Sequence, residues 1–362
     1  MSTVRAVIKI GTQSLLDENN LLDQHMIESL INQIAILKKS GHQIVLVSSG
    51  AVGAGRDLWG SYGTHKHFSD TVLEKQILSS IGQASLIESY NASLKRYKML
   101  ASQLLLTRYD FLHRRHSVNI GRFLDKLQAQ KNILPIINEN DSVAVDELIF
   151  TDNDELAGLV AARIGADRLI LLTDVDGVLD LSQDPPVVIP EIRHNDQMID
   201  VSLSGGGRGG MGSKLKTARK MARIGIQTHI AKARAPDILV KLFDEENLGT
   251  VITPQAKKKP VKRWLAAGVQ ETRGEIIVND CLSKILHESE GDKTARSILP
   301  VGITTITQPF EKDDVVVIKD ENGNQIGHGM AKYDHQTLSA YLGQKNKPVF
   351  IHYDALHVDP IH

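Results

Sequence analysis

Apolar positions follow two alternating rhythms over the first two-thirds of the chain. Nearly continuous apolar runs occupy Val4–Ile10, Gln43–Val47, Met99–Leu106, Ile133–Ile137 and Arg168–Leu172, the pattern of strands buried on both faces. Between them the spacing is helical. In Asp23–Lys39 the residues Ile27, Leu30, Ile31, Ile34 and Leu37 share one face, and Ser40-Gly41 supplies a stop signal. Segments 70–96, 114–130, 154–165 and 211–224 are further predicted helices. This alternation predicts an α/β fold, a largely parallel sheet sandwiched by helices. Ligands in such sheets bind beyond the carboxyl ends of the strands, so the polar residues after each strand carry the functional information.

The rhythm changes near residue 254. Pro254-Gln-Ala-Lys-Lys-Lys-Pro260-Val-Lys-Arg263 is polar, basic and bounded by prolines, as linkers are. The expected organisation is a first domain over 1–255, a linker over 256–272 and a small β-rich domain over 273–352. In the last, Gly274–Val278 reads as a strand and Asp280–His287 as a short helix. Val315–Ile318 and Gln325–Met330 flank Asn322-Gly323, a strong hairpin signal.

Composition narrows the function classes. The 362 residues carry 42 Lys+Arg and 43 Asp+Glu, a net charge of -1, which excludes a general attraction to nucleic acid or anionic membrane. The single Cys281 excludes an internal disulfide framework and suits a reducing compartment. The first residues lack a secretory pattern, and no apolar stretch is long enough to span a bilayer. A cytoplasmic protein is expected.

Six groups of residues stand out at the strand ends. Lys9 lies in an apolar run before Gly11-Thr12; it is either a lysine snorkelling from an edge strand or one aimed over a glycine turn at a phosphate. Ser48-Ser49-Gly50-Ala-Val-Gly53-Ala-Gly55 is small enough for backbone N–H groups to approach an anion, although Leu58 breaks the dinucleotide-binding fingerprint. Asn138-Glu139-Asn140-Asp141 and Thr151-Asp152-Asn153-Asp154 concentrate carboxylates and amides, where the alternative is turn and cap chemistry. Thr173-Asp174 ends the fifth run. Ser204-Gly-Gly-Gly-Arg208-Gly209-Gly210-Met211-Gly212-Ser213-Lys214 opens a helix; its Gly-Ser-Lys order departs from the P-loop motif.

Together these segments resemble the amino-acid kinase family. The markers are Val7-Ile-Lys9-Ile-Gly11-Thr12, Ser48-Ser49-Gly50-Ala51, Ile137-Asn-Glu-Asn-Asp141, Asp152-Asn153-Asp154, Leu172-Thr173-Asp174 and Gly209-Gly-Met211-Gly-Ser-Lys214. Leu299-Pro-Val-Gly302-Ile and Ile326-Gly-His-Gly-Met-Ala331 look like a PUA domain. Two departures from the family pattern are Gln13, where Ser often follows Thr, and Arg208, where a small or polar residue is common.

The resemblance implies transfer of phosphate from ATP to the side-chain carboxylate of L-glutamate, the first step towards proline. It implies Lys9 and Lys214 flanking the transferred group, with Asp154 holding both. It implies Ser49, Asp141 and Asn153 on glutamate, and Gly11 and Gly50 offering N–H groups to phosphates. Thr173, Asp174 and the loop Arg208, Gly209, Gly210, Met211, Gly212, Ser213 and Lys214 are implied on the nucleotide. Mg²⁺ is expected on the nucleotide's phosphates and water, with no protein metal ligand. A homo-oligomer, dimer or tetramer, and inhibition by proline also follow from the family. The alternatives are another acceptor of that family (acetylglutamate or a nucleotide) and RNA binding through the PUA-like domain. The short Lys257–Arg263 patch lacks the interleaved aromatics that stack bases.

Overall fold

Ala6, Val7, Ile8 and Ile10 have no solvent exposure, and the run containing them forms β1 (Arg5–Ile10) at the centre of a sheet. The computed structural model describes residues 3–63, 70–143, 152–193, 210–254, 272–288 and 297–359. After β1 come α1 (Thr12–Leu15), α2 (Gln24–Lys39), β2 (Gln43–Ser48), α3 (Ala51–Ser61), α4 (Thr71–Lys95), β3 (Leu100–Leu106), α5 (Arg108–Leu112), α6 (Arg114–Gln128) and β4 (Ile133–Glu139). There follow α7 (Asn153–Ile164), β5 (Arg168–Thr173), β6 (Leu179–Asp180), β7 (Val187–Val188), β8 (Glu191–Arg193), α8 (Met211–Arg223), β9 (Gln227–Lys232), α9 (Ile238–Phe243) and β10 (Thr250–Thr253). Two compact units are present, residues 1–110 with 118–257 and residues 111–117 with 258–362.

The large sheet has the order β3-β4-β2-β1-β5-β9-β10-β8. Every pairing is parallel except β9 with β10. The chain runs outward from β1 through β2 on one side and through β5 on the other. The carboxyl ends of these three strands therefore border the switch point where open α/β sheets bind ligands. The predicted apolar face of α2 is buried as expected; Asp23 caps its start by accepting from the Met26 N–H at 3.0 Å, and Gly41 follows its end at φ +95°.

The five predicted strands and five predicted helices are all present. Three strands of the sheet had no strong sequence signal: β8 and β10 are short, and β9 reads Gln-Thr-His-Ile-Ala-Lys. Their partners, not their own periodicity, make them strands. Helix α3 was visible only as a glycine-rich turn, because Gly53, Gly55 and Gly60 lower its intrinsic helicity.

The second unit contains β11 (Glu275–Val278), α10 (Asp280–Glu288), β12 (Ile303–Gln308), β13 (Val315–Lys319), β14 (Gln325–Met330), α11 (His335–Tyr341) and β15 (Leu356–Val358). Its sheet has the order β12-β11-β13-β14-β15, over a core that includes Ile276, Val316, Ile318, Phe350 and Ile351. The Asn322-Gly323 hairpin is as read, β13 pairing antiparallel with β14 and Gly323 adopting φ +85°. The expected linker lies outside the described residues except for Thr272. Among the described residues no helix is long and apolar enough to cross a membrane.

Candidate active site

Lys9 occupies the fifth position of a central strand, between β2 and β5, so it has no sheet edge from which to snorkel. It is 4% exposed. A buried ammonium needs an anion, and Asp154, with no exposure at all, supplies it: Lys9 Nζ lies 2.7 Å from Asp154 Oδ1. The other oxygen, Oδ2, is 3.1 Å from Lys214 Nζ, on a lysine 7% exposed. One carboxylate thus holds two cations from different elements.

Local structure fixes that arrangement. Asp152 caps α7, accepting from the Asp154 and Glu155 N–H groups at 2.9 and 3.0 Å. Its second oxygen accepts from the Ser213 hydroxyl, tying the first turn of α8 to that of α7. The two helices approach closely where Gly158 faces Thr217 and Met221; a Cβ there would lie 3.1 Å from Thr217 Cγ2. Lys214 is brought to Asp154 by this packing.

A second set of contacts surrounds Asn153. Its Nδ2 lies 2.9 Å from Ser49 Oγ, 3.0 Å from Asn138 Oδ1 and 3.2 Å from the Ser48 carbonyl. Its Oδ1 is buried and makes no hydrogen bond among the described residues. Asn138 in turn donates to Gln83 Oε1 at 2.9 Å, and the Ser79 hydroxyl donates to Asp141 Oδ2 at 2.9 Å. Ser79 and Gln83 are one turn apart on α4, so this helix is anchored to the site twice. Its approach depends on two glycines. A Cβ on Gly55 would lie 1.8 Å from the Leu78 carbonyl oxygen, and one on Gly82 1.9 Å from the Ala51 carbonyl oxygen. Gly50, the residue before α3, adopts φ +100°, a left-handed conformation that favours glycine.

These elements enclose a cavity of about 580 Å³ at the carboxyl ends of β1, β2, β4 and β5. Among the residues anticipated from sequence, Lys9, Gly11, Ser49, Gly50, Asp141, Asn153, Thr173, Asp174 and Lys214 line it. Asp154 stands behind the two lysines. Gly210, Met211, Gly212 and Ser213 form the cap and first turn of α8 without lining the cavity. Arg208 and Gly209 lie outside the described residues. Sequence reading missed Thr71, Val72, Lys75 and Gln76, at the start of α4, which also line it. Only the repeat of polar residues at 75, 79 and 83 along an otherwise mixed helix hinted at them.

Burial pushes the Asp141 carboxyl above its ordinary value; the Ser79 hydrogen bond and the charge of Lys75 pull against that shift without reversing it. Chemically, the cavity wall carries Lys9, Lys75 and Lys214 together with the carboxylates of Glu139, Asp141, Asp152 and Asp174 and the turn at Gly50. It suits a ligand with anionic groups and one cationic group.

Two family models match the chain: Amino acid kinase family over residues 4–232 and PUA domain over residues 293–349. A chain named Glutamate 5-kinase from Chlorobaculum tepidum is 38% identical over 360 residues, covering 98% of this chain and 98% of the relative. One of the same name from Bacteroides thetaiotaomicron is 38% identical over 363 residues, with the same coverage of each. Among solved structures, carbamate kinase from Giardia lamblia bound to AMP-PNP superposes with a TM-score of 0.51 at 18% identity, covering 70% of this chain and 99% of that one. That last likeness concerns the fold alone.

Proposed function

This chain belongs to the amino acid kinase family, and on that premise we propose that it transfers the γ-phosphoryl group of ATP to the side-chain carboxylate of L-glutamate, giving ADP and γ-glutamyl phosphate. The observation that carries the reaction class is the pair of buried lysines held on Asp154 at 2.7 and 3.1 Å beside the cavity. The acceptor follows from near full-length similarity to chains named Glutamate 5-kinase.

The glutamate carboxylate, with an ordinary pKa of about 4.3, is already a nucleophile at neutral pH. No general base is required. One of its oxygens forms the bond to the γ-phosphorus, and the bond to the bridging oxygen of the β-phosphate breaks. The obstacle is repulsion between two anions, so catalysis rests on position and positive charge. Lys9 and Lys214 neutralise the transferring group, and Asp154 keeps both ammonium groups in place. The Gly11 and Gly50 N–H groups face phosphate oxygens. Asp141 and the buried Oδ1 of Asn153 accept from the substrate ammonium, with Ser49 beside them. Thr173, Asp174 and the turn from Arg208 to Lys214 serve the nucleotide.

The site's carboxylates bear on Mg²⁺. Asp154 is committed to two lysines, Asp152 to a helix cap and Ser213, Asp141 to Ser79 and Asp174 to the Thr173 hydroxyl, while Glu139 also lines the cavity. The Mg²⁺ of this proposal is bound through phosphates and water, where it screens the nucleotide's charge. We also assign the protein to the cytoplasm as the first enzyme of proline synthesis, a dimer or tetramer inhibited by proline.

Hydroxylamine trapping tests the reading. Purified protein with Mg·ATP should form hydroxamate with glutamate, and not with aspartate or N-acetylglutamate, and should release no ADP with UMP. ADP release with UMP or hydroxamate from a different acid, and none from glutamate, would refute the acceptor and leave the phosphotransferase.

A further inference from the structure

The reading above leaves one charged group of the acceptor without a protein partner. Glutamate brings its side-chain carboxylate to Lys9 and Lys214, and its ammonium to Asp141. Its α-carboxylate also leaves water when it enters the cavity, and an anion so placed needs a cation or hydrogen-bond donors. Lysines 9 and 214 are held by Asp154 at the phosphoryl end. The N–H groups of the Gly50 turn are committed to phosphate in this reading. Among the described residues the cavity has one further lysine in its wall, Lys75.

Its side chain is exposed at the cavity wall, and its backbone position is set by the helix that carries it. Lys75 lies one turn before Ser79, which bonds Asp141, and two turns before Gln83, which accepts from Asn138. Residues spaced by four share a helix face, and their side chains lean towards the helix start. The face bearing Lys75 is therefore fastened to the site at Asp141 and Asn138. Lys75 and Asp141 line the same cavity, and the lysine's charge favours the ionised form of that carboxyl. An ammonium beside an anion is the complement of a zwitterionic amino-acid head, in which carboxylate and ammonium share one carbon. Thr71 and Val72, in the first turn of the same helix, line the cavity as well.

We infer that Lys75 binds the α-carboxylate of the acceptor, so that Lys75 and Asp141 together recognise its amino-acid head. This rests on glutamate being the acceptor. The residue is a specificity determinant: it selects acids carrying a second carboxylate next to the ammonium.

The probe is 4-aminobutyrate, which is glutamate without its α-carboxylate. Steady-state kinetics are measured for wild type, Lys75→Met and Lys75→Arg with glutamate, with Mg·ATP, and with 4-aminobutyrate as acceptor or as a competitive inhibitor against glutamate. Lys75→Met should raise the KM for glutamate about 10- to 100-fold, the range of a charge-assisted hydrogen bond. The KM for Mg·ATP, and the KM or Ki of 4-aminobutyrate, should change less than about threefold on the same scale. Lys75→Arg should recover part of the loss. A glutamate KM that stays within threefold in Lys75→Met overturns the inference and gives the α-carboxylate to the N–H groups of α3. Equal losses for glutamate and 4-aminobutyrate, or a loss confined to ATP, overturn it as well. A wild type inactive on glutamate removes the underlying reading too, and is distinguished by failing before any variant is made.

Discussion

Replacing Asp154 with Asn removes one charge and leaves two buried ammonium groups facing a neutral amide. Asp154 has no exposure, and the side chains of Lys9 and Lys214 are 5% and 9% exposed, so water cannot replace it without opening the site. Breaking a buried ion pair from one side costs about 3–5 kcal/mol. With one carboxylate serving two cations, the upper part of that range is expected. For a unit of this size 1 kcal/mol moves the melting temperature by roughly 2–4 °C, so Asp154→Asn should melt roughly 6–20 °C below wild type. Turnover should fall by about 10²–10³ for each lysine that leaves its position. Two controls separate charge from shape. Adding Lys9→Met to Asp154→Asn removes one stranded cation, and the double variant should melt above the single one. Saturating Mg·ATP should stabilise Asp154→Asn more than wild type, because phosphate supplies the missing anion. Thermal melting by circular dichroism and the hydroxamate assay read both quantities. An Asp154→Asn protein melting within about 2 °C of wild type, with turnover within threefold on the same scale, would refute the account of the lysine pair.

Three further outcomes follow from the geometry. Gly82→Ala places a Cβ 1.9 Å from the Ala51 carbonyl oxygen; α4 must move, so stability should fall by about 3 kcal/mol or more and the glutamate KM should rise more than that for ATP as Ser79 leaves Asp141. Lys38 is 2% exposed, its Nζ makes no hydrogen bond among the described residues, and burial lowers its pKa to about 8; Lys38→Met should therefore stabilise the protein at pH 7, by about 2 kcal/mol in urea titrations. His229, 8% exposed, has its pKa lowered to about 4, first by burial and then by the charge of Arg168. Its folded form binds protons less readily than the unfolded chain, so its contribution is full above pH 6.5 and is lost as pH falls towards 4. His229→Gln should flatten that part of the stability profile by up to about 3 kcal/mol.

Much of this protein is local in origin. Continuous apolar runs must be buried, and helices of 3.6 period between them leave few architectures besides a covered parallel sheet. That reasoning yields β1 to β5 and α2, and it points to the carboxyl ends of the strands. Lys9, Asp141, Asn153 and Thr173 are legible for the same reason: polar residues directly after or within apolar runs are out of place without a partner. The Asn322-Gly323 hairpin is legible because its turn needs positive φ. Asp152 is legible as a cap before α7, but not as the acceptor for Ser213, which lies 61 residues away.

The rest is decided by distance in sequence. That one carboxylate serves Lys9 and Lys214, residues 205 positions apart, depends on α7 and α8 meeting at Gly158. No periodicity encodes the meeting. The helix start at Thr71 to Gln76 carries no motif; it reaches the cavity only because Gly55 and Gly82 let two helices touch backbone to backbone. Strands β8, β9 and β10 have too few apolar residues in phase to declare themselves, and become strands because a neighbouring edge offers hydrogen bonds. Residue type and local pattern set which groups are costly to bury alone; packing selects which of them pair, because a buried charge is satisfied by whichever partner comes within about 3 Å.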